Sequence, residues 1–203
     1  MLEKISDLFD LENDVALDVP GCLSPTIQRT LIRVCRDFLY KSKAWQENLA
    51  LIDVVAEQED YTLKVPYNAV IMNISGLKVR NDNTHEFETT DEYPQAYYTY
   101  VPENILRFVS ASFAPQIAVT EGMKVSVVLI PEFNAHNMPN WIIERYAEGF
   151  VAGAKAEIMM SPGKPYTNPQ LAVYNKQIFY SYLTRASNDA ETRFLPRTIS
   201  IGV

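Results

Sequence analysis

Few residues in this chain have the chemistry of a catalytic or metal-binding centre. There are two histidines, His85 and His136, and two cysteines, Cys22 and Cys35. These four side chains do not have the spacing of a zinc site. No nucleophile elbow, phosphate loop, dinucleotide fingerprint or HExxH pattern occurs in the sequence. A Ser/His/Asp or Cys/His arrangement stays open, because its members need only meet in space.

Carboxylates are plentiful, with 25 aspartates and glutamates. A pair of them could act as the acid and the base of a hydrolase such as a glycosidase. That chemistry would require one carboxylate whose pKa is strongly raised inside a cleft. No spacing in the sequence singles out a pair, so an acid/base hydrolase is one alternative among three.

Tyrosines cluster in a segment that alternates like a strand, at Tyr93, Tyr97, Tyr98 and Tyr100. Tyrosine is common where proteins bind partners, because its ring is apolar and its hydroxyl is polar. It is also an ordinary strand residue. The run Tyr93–Tyr100 therefore predicts either a surface that binds a glycan or a peptide, or the filling of a sheet.

The chain is acidic, with a formal net charge of −7. A protein that grips nucleic acid needs a basic face for the phosphates, and the composition supplies no such excess. An acidic surface suits a wall past which DNA slides without sticking, although acidity also simply keeps proteins soluble. Arg29, Arg33 and Arg36 lie on one early helix, where they could contact phosphate, solvent or an acidic neighbour.

The composition is that of an ordinary globular protein, 47% hydrophobic and 21% charged. No run approaches the roughly 18 apolar residues needed to cross a bilayer, and the first residues lack the apolar core of a secretory signal. We expect no membrane partner. The two cysteines make no disulfide framework, so both are predicted as small buried side chains in a reducing compartment.

Two helices are predicted between Asn140 and Ala190. In the first, apolar residues recur at the three- and four-residue steps of an amphipathic helix: Ile142, Ile143, Tyr146, Phe150, Ala154 and Ile158. In the second, the same spacing joins Leu171, Tyr174, Ile178, Tyr182 and Ala186. Prolines and a glycine within 162–165 interrupt the pattern, and Asn168 followed by Pro169 is a typical helix start. The short loop predicts an antiparallel pair.

Four small residues share one region of the first of these helices: Gly149, Ala152, Gly153 and Ala156. Each glycine costs a helix roughly 1 kcal/mol relative to alanine, so close approach of another backbone is the expected compensation. Two explanations stay open. The second helix packs there within one subunit, or the small residues form a contact between subunits.

The predicted fold class is α+β: an antiparallel helical bundle with an inserted β-sandwich or barrel module and an extended C-terminal tail. Ser24 and Pro25 begin a helix that runs to about Lys43. Its predicted apolar face consists of Ile27, Leu31, Val34, Cys35, Phe38 and Leu39. From Ala50 onward, short segments alternate with a period of two between prolines, which is typical of a sandwich or small barrel. They include the predicted strands Val70–Ile74, Leu77–Arg80 and His85–Thr89. The predicted domains are the helical bundle 1–54 and 133–190, the β module 55–132 and the C-terminal arm 191–203.

The last residues change character again. Pro196 stops the preceding helix, and Thr198–Ile201 alternates like a short strand. A terminal strand frays unless something holds it. We therefore expect the arm to pair with its own β module or, by strand addition, with another chain.

Three passages, taken in order, resemble the head-to-tail adaptor proteins of tailed bacteriophages, especially those with short tails. The first is the early helix leading to Trp45, followed by Glu57–Leu63. The second is Ile143–Ala154, and the third is Ser161–Tyr174 with Phe179 downstream. Tyr166 matches an aromatic residue that the family commonly has after its loop proline. Adaptors differ widely in the inserted module, so the likeness says little about residues 66–130.

The resemblance implies a structural protein and not an enzyme, with no catalytic residue, metal or cofactor. It implies a ring, typically of twelve copies, that is assembled in the host cytoplasm and lies in the neck of the virion. The implied partners are further copies of the chain, the portal protein, and the tail tube or nozzle and fibre proteins. DNA would pass through the lumen without specific binding.

The resemblance also assigns roles by position. In related adaptors the C-terminal segment reaches the portal, so portal binding falls to Arg193, Phe194, Leu195, Pro196, Arg197, Ile199 and Ile201. The contact between subunits would use Gly149, Ala152, Gly153 and Ala156.

Overall fold

The computed structural model describes residues 5–66, 68–82, 87–88 and 91–192. The chain divides into two compact units. The first, called the helical unit, combines Met1–Trp45 with Phe133–Val203, and the second, the β unit, is Gln46–Glu132. The β unit is therefore an insertion between two parts of the helical unit.

The described residues contain four α-helices and nine strands. The helices are α1 (Glu12–Ala16), α2 (Ser24–Ser42), α3 (Asn140–Met159) and α4 (Pro169–Thr192). The strands are β1 (Ile5–Asp7), β2 (Gln46–Asn48), β3 (Ile52–Val54), β4 (Asp60–Thr62), β5 (Ala69–Val79), β6 (Tyr98–Val101), β7 (Ile105–Phe108), β8 (Val119–Pro131) and β9 (Asn137–Pro139).

Helix α2 begins and ends where the sequence predicts. Pro25 lies in its first turn, where a missing N–H is tolerated. Lys43 follows the last turn in a left-handed conformation, with φ 55°, and its N–H donates to the carbonyl of Leu39. This is a common helix ending. The predicted apolar face is confirmed as buried: Ile27, Leu31, Val34, Cys35, Phe38 and Leu39.

Helices α3 and α4 confirm the predicted antiparallel pair. Arg145 in the second turn of α3 pairs with Asp189 near the end of α4, with Nη2 and Oδ2 2.8 Å apart. At the loop end, the N–H of Asn168 donates to the carbonyl of Met159 at 3.0 Å. The side chain of Asn168 accepts a hydrogen bond from the N–H of Leu171, which caps α4 as expected.

The predicted buried face of α4 is wrong except at Ala186, which is buried. Leu171 is 36% exposed and Tyr174 is 59% exposed. The stripe that α4 turns toward its own chain consists of Ala172, Asn175, Phe179, Ala186 and Ala190. The reason is steric. Helix α4 lies so close to α3 that a Cβ on Gly153 would be 2.6 Å from the Phe179 ring, so this interface takes small side chains and one flat ring.

An aromatic cluster joins the three long helices. Phe38 of α2 is fully buried, and its ring centre lies 5.3 Å from Tyr146, 5.1 Å from Phe150 and 5.7 Å from Phe179. Tilted and edge-on ring pairs at such distances are favourable beyond the area that they bury. The cluster therefore fixes how α2, α3 and α4 meet. Strands β1 and β9 add a small antiparallel sheet to the same unit.

The main sheet of the β unit is built around β8. Strand β5 pairs with β8 from Ala69 opposite Pro131 to Val79 opposite Met123. Strands β2 and β3 pair with β8 in succession. The register of β5 shifts twice, between Ile71 and Asn73 and between Ile74 and Gly76, and such bulges bend a strand. A second sheet has the order β4-β7-β6.

The predicted architecture is therefore wrong, although the mixed α+β class is compatible with the structure. In place of a helical bundle with an inserted sandwich or barrel, the strands of the described segments form three separate antiparallel sheets. One of these sheets belongs to the helical unit. A barrel requires a sheet that closes on itself. Within the described ranges, an isolated bridge between Lys78 and Glu92 is the only pairing of β5 besides its ladder with β8.

Two expectations fall partly or wholly outside the described residues. The predicted arm 191–203, with its strand at Thr198–Ile201, lies outside them from residue 193 onward. The predicted strand His85–Thr89 lies largely outside them as well. In the part of the chain that is described, no helix combines the length and apolarity needed to cross a membrane.

Candidate functional site

The candidate site is the solvent-facing surface of α2, α3 and α4. Helix α4 is long, but its own chain covers only a narrow stripe of it. Large apolar side chains therefore remain exposed on both sides of that stripe. Single exposed apolar residues are normal on a protein surface, whereas grouped ones mark places where another molecule binds.

The first apolar side of α4 is called the outer stripe and consists of Leu171, Tyr174, Ile178 and Tyr182. These residues follow the three- and four-residue steps that place side chains on one helix face. Ile178 and Tyr182 are half-buried, whereas Tyr174 is 59% exposed. The hydroxyl of Tyr182 donates to the carboxylate of Glu148 on α3, and this hydrogen bond raises the pKa of Tyr182. The outer stripe therefore borders one particular face of α3.

The second apolar side borders an open groove of about 570 Å³ between α2 and α4. Its lining includes Gly153, Ala156 and Phe179, and the exposed side chains of Val173 and Tyr180 lie along it. Met160 at the end of α3 adds a further exposed apolar side chain. We call this feature the α2–α4 groove. It is a concave surface with apolar and charged side chains in its lining, of a size that a neighbouring side-chain ridge could fill.

Charged pairs line the rim of the α2–α4 groove. Arg33 Nε donates to Glu157 Oε2 at 3.0 Å, which links α2 to α3. Lys41 Nζ donates to Asp37 Oδ2 at 2.6 Å, and this hydrogen bond raises the pKa of Lys41. These side chains are largely exposed, and exposed ion pairs contribute little to folding. They can therefore be rearranged by a partner at low cost.

The two apolar sides lie on nearly opposite flanks of α4. At about 100° per residue, the mean direction of Val173 and Tyr180 is roughly 140° from that of Leu171, Tyr174 and Ile178. A subunit that meets two identical neighbours through a head-to-tail contact needs two different surfaces on opposite sides. The arrangement of α4 satisfies that geometric requirement.

Contacts within one chain explain both glycines of α3. A Cβ on Gly149 would lie 2.8 Å from Tyr182 Cβ, and one on Gly153 would lie 2.5 Å from Val34 Cγ1. Ala152 and Ala156 are also buried. The contact between subunits that the sequence assigns to these four residues stays a prediction. Gly153 and Ala156 line the α2–α4 groove, so they lie at a surface where such a contact could form.

The tyrosine run of the β unit is divided between core and surface. Tyr98 is buried, and Tyr93 packs edge-on against Phe108 with ring centres 5.6 Å apart. Tyr97 is 36% exposed and stacks on Phe113, with ring centres 4.2 Å apart. Tyr100 is half-buried. Tyr97 is therefore the most exposed tyrosine of the run, and its stacked pair with Phe113 is the surface that a ligand could reach.

In the described part of the chain, His136 and the two cysteines do not form a metal-binding group. The His136 ring stacks on Phe9 at 4.8 Å, Cys35 is buried and Cys22 is half-buried, while His85 lies outside that part. No group of three or more histidine, cysteine or acidic residues positioned to hold a metal is found among the described residues. The pKa of Asp60 is lowered by a hydrogen bond from Arg107, the opposite of what a general acid needs.

Sequence reasoning missed Val173, Tyr180 and Met160. A signal was present, because Val173 and Tyr180 are seven residues apart and so share a helix face. The prediction instead followed the longer apolar stripe at Leu171, Tyr174 and Ile178. The portal-binding residues from Arg193 to Ile201 lie outside the described residues.

Comparison with known proteins adds no assignment. No protein-family model matches this chain, and a search of curated proteins finds no similar sequence.

Proposed function

We propose that this chain is a structural subunit of a head-to-tail adaptor in a tailed bacteriophage. Copies assemble side by side into a ring, which binds the portal protein above and tail components below. DNA passes through the lumen of the ring without specific binding. The chain acts as an interaction protein, located in the neck of the virion, and has no catalytic role.

One observation carries the proposal: α4 presents apolar side chains on two nearly opposite flanks. One flank is the outer stripe, and the other borders the α2–α4 groove. A convex stripe and a concave groove on the same unit form the pair of unlike surfaces that a heterologous ring interface needs. The order of sequence passages that resemble adaptors supports the same assignment.

The proposed contact places the outer stripe of one copy in the α2–α4 groove of the next. Apolar burial supplies the association energy, at about 25 cal/mol per Å² of apolar surface removed from water. The small residues Gly153 and Ala156 form part of the lining that Tyr174 would contact. Rim charges such as Arg33 and Glu157 would set the register of the two copies.

A matched pair of variants tests the ring. Tyr174→Glu places a charge in the outer stripe, whereas Gln177→Glu adds the same charge to an exposed position elsewhere on α4. Neither side chain is buried, so both variants should fold, which circular dichroism can check. We expect electron microscopy with the portal protein of the same virus to show rings for the wild type and Gln177→Glu but not for Tyr174→Glu. Equal ring formation by all three would remove the role of the outer stripe.

The C-terminal arm carries the second half of the proposal. Deleting residues 192–203 should leave a folded subunit that no longer binds the portal protein. Unchanged portal binding by the truncated protein, measured by co-sedimentation, would remove the role of the arm.

A second candidate function rests on the stacked pair Tyr97–Phe113 in the β unit. An exposed aromatic surface suits the apolar face of a sugar or a peptide side chain. Under this alternative, Tyr97→Ala should abolish binding to a glycan or peptide array while the fold survives. Tyr98 is buried, so Tyr98→Ala would lower stability and cannot serve as the test.

A further inference from the structure

Tyr174 and Lys176 lie on opposite flanks of α4 at nearly the same level of the helix. They are two residues apart, which separates their side chains by about 200° around the helix axis and by about 3 Å along it. Both side chains are exposed. A neighbouring copy that is reached through the outer stripe and the α2–α4 groove is displaced across α4 and not along it. The level of Tyr174 in one copy is therefore the level of Lys176 in the next copy.

Met160 lies at the same level of the α2–α4 groove. It follows the last residue of α3 and lines the groove together with Val173 and Lys176. The residue just before it, Met159, accepts a hydrogen bond from the N–H of Asn168 at 3.0 Å, which joins the end of α3 to the start of α4. Met160 therefore lies beside the first turns of α4.

The chemistry of Met160 and Lys176 suits an aromatic partner. Met160 is 59% exposed, and its thioether is flexible and polarisable, so it makes favourable contacts with rings. Lys176 Nζ already lies 5.9 Å from the centre of the Tyr180 ring, within reach of a cation–π interaction. The two other cations in the groove lining each pair with a carboxylate. Lys176 is therefore the cation of this groove that is best placed to meet a ring from another copy.

Tyr174 is the residue of the outer stripe with the most surface left to bury. It is 59% exposed, whereas Leu171 is 36% exposed and the other two residues of the stripe are half-buried. Aromatic side chains that fill a pocket often contribute much of the binding energy of an interface. The face of an aromatic ring also carries negative electrostatic potential, which complements the ammonium group of Lys176.

We propose that the ring of Tyr174 in one copy binds between Met160 and Lys176 of the next copy. The Met160 thioether packs against the ring, and the Lys176 ammonium approaches the face of the ring. The occupant is a second copy because one helix carries, at one level and on opposite flanks, the exposed ring and the cation that complements it.

This inference rests on the proposed function, because it takes the α2–α4 groove to be a contact between copies. It deepens that proposal by naming the anchor of the contact and the two residues that favour an aromatic side chain there. Tyr174→Glu would gain at most an exposed ion pair with Lys176, and such pairs contribute little. It would also lose the ring, so the inference agrees with the absence of rings expected for that variant.

A double-mutant cycle in the full-length chain tests the contact. Within one copy, Tyr174 and Lys176 lie on opposite flanks of α4, so coupling between them in self-association reports a contact between copies. Tyr174→Leu removes the ring, and Lys176→Gln removes the charge. In sedimentation velocity, Lys176→Gln should lower the association constant about two- to thirtyfold. It should cause no further loss in a chain that already carries Tyr174→Leu.

Conservative variants supply the matched controls. Tyr174→Phe keeps the ring and Lys176→Arg keeps the charge, so both should associate like the wild type. Lys64→Gln removes the same charge from an exposed position of the β unit and should leave the association constant unchanged. All of the replaced side chains are exposed, so circular dichroism should show the wild-type fold for every variant.

Oxidation isolates the contribution of Met160. Hydrogen peroxide transfers one oxygen atom to a thioether sulfur, which forms a polar sulfoxide and releases water. Among the described methionines, Met160 is exposed, Met72 is half-buried, and Met123, Met138 and Met159 are buried. Peroxide should therefore lower the association constant of the wild type about two- to tenfold. It should leave the association of Met160→Leu unchanged, because that variant has no sulfur at the contact.

Additive losses from Tyr174→Leu and Lys176→Gln would overturn the inference. So would a wild-type chain that stays monomeric up to about 1 mM, where even weak contacts are populated. Equal sensitivity of the wild type and Met160→Leu to peroxide would remove Met160 from the contact. Rings on the portal protein without coupling between Tyr174 and Lys176 would leave the proposed function standing and overturn only this inference. Coupling in a chain that does not bind the portal protein would have the opposite result.

Discussion

Replacing Gly153 by alanine separates the two explanations for the small residues of α3. The added Cβ would lie 2.5 Å from Val34 Cγ1 and 2.6 Å from Phe179 Cδ2. Both neighbours are buried, and the β-branched Val34 has one preferred rotamer in a helix. The Phe179 ring is held edge-on against Phe38. Neither atom can move away without disturbing the core.

The expected magnitude follows from two opposing effects. Alanine favours a helix interior by about 1 kcal/mol over glycine. Overpacking a filled core costs about 1–3 kcal/mol, and two contacts below 3.0 Å place Gly153→Ala in the upper part of that range. The net loss of stability should therefore be about 1–2 kcal/mol. For a chain of this size, the melting temperature should fall by about 2–4 °C per kcal/mol.

The assay is unfolding in guanidinium chloride, followed by circular dichroism at concentrations where the protein is monomeric. Val34→Ala supplies the control, because it removes the methyl group that the new Cβ meets. In the Val34→Ala background, Gly153→Ala should cost less than it does in the wild type, as expected for two residues in contact. A monomer that is unchanged or stabilised by Gly153→Ala, but fails to assemble, would refute the packing argument and favour a contact between subunits.

Three further outcomes are expected. Phe38→Ala should cost about 3–5 kcal/mol in the same unfolding assay, because it empties the centre of the aromatic cluster. In the native protein, an alkylating reagent should modify Cys22 and spare Cys35, since burial raises the pKa of the Cys35 thiol well above its usual range; mass spectrometry before and after denaturation would check this. Arg107 lowers the pKa of Asp60 in the folded protein. This pair therefore stabilises the fold at pH values above the pKa that Asp60 has in the unfolded chain. The stabilisation is lost as the pH falls through the lower pKa of Asp60 in the folded state. In a carboxyl NMR titration, Arg107→Ala should raise the pKa of Asp60, and an unchanged value would contradict the assignment.

The long helices were predictable because two signals in the sequence mark the same segments. Apolar residues recur with the period of a helix, and residues typical of helix starts and ends bound them. Helix α2 satisfies both kinds of signal, from Pro25 to Lys43. In α4 the pattern predicts the helix but the wrong buried face. Hydrophobicity ranks Leu171 and Tyr174 above Ala172 and Asn175, yet close approach of α3 selects the smaller pair. Which face a helix buries depends on the shape of its partner, and a single sequence does not contain that shape.

The sheets were less predictable, for two physical reasons. Strands β1, β2, β3 and β9 have three residues each, too few for a period of two to appear. Strand β5 was predicted as two segments, Val70–Ile74 and Leu77–Arg80, because Gly76 interrupts the apolar pattern. The bulges of β5 accommodate the interruption without ending the ladder. How strands divide among sheets depends on pairing between distant residues, which local patterns do not report.

The candidate site was predicted only in part. The sequence pointed to Gly153 and Ala156 through their size, and both line the α2–α4 groove. The cavity that Phe133 shares with the arginines of α2 could not be predicted, because the exposure of Phe133 becomes visible only after folding. Phe133 is far from Arg29 in the sequence, so their meeting depends on the tertiary fold.

The way in which the β unit is inserted has an evolutionary consequence. Its first strand, β2, pairs with β8, the strand that leads out of the unit, with Gln46 opposite Val128. The entry and the exit of residues 46–132 are therefore neighbours within one ladder. Domains whose termini are close together tolerate transplantation into surface positions of a host. Recombination could thus exchange this segment for another while the helices retain their connectivity.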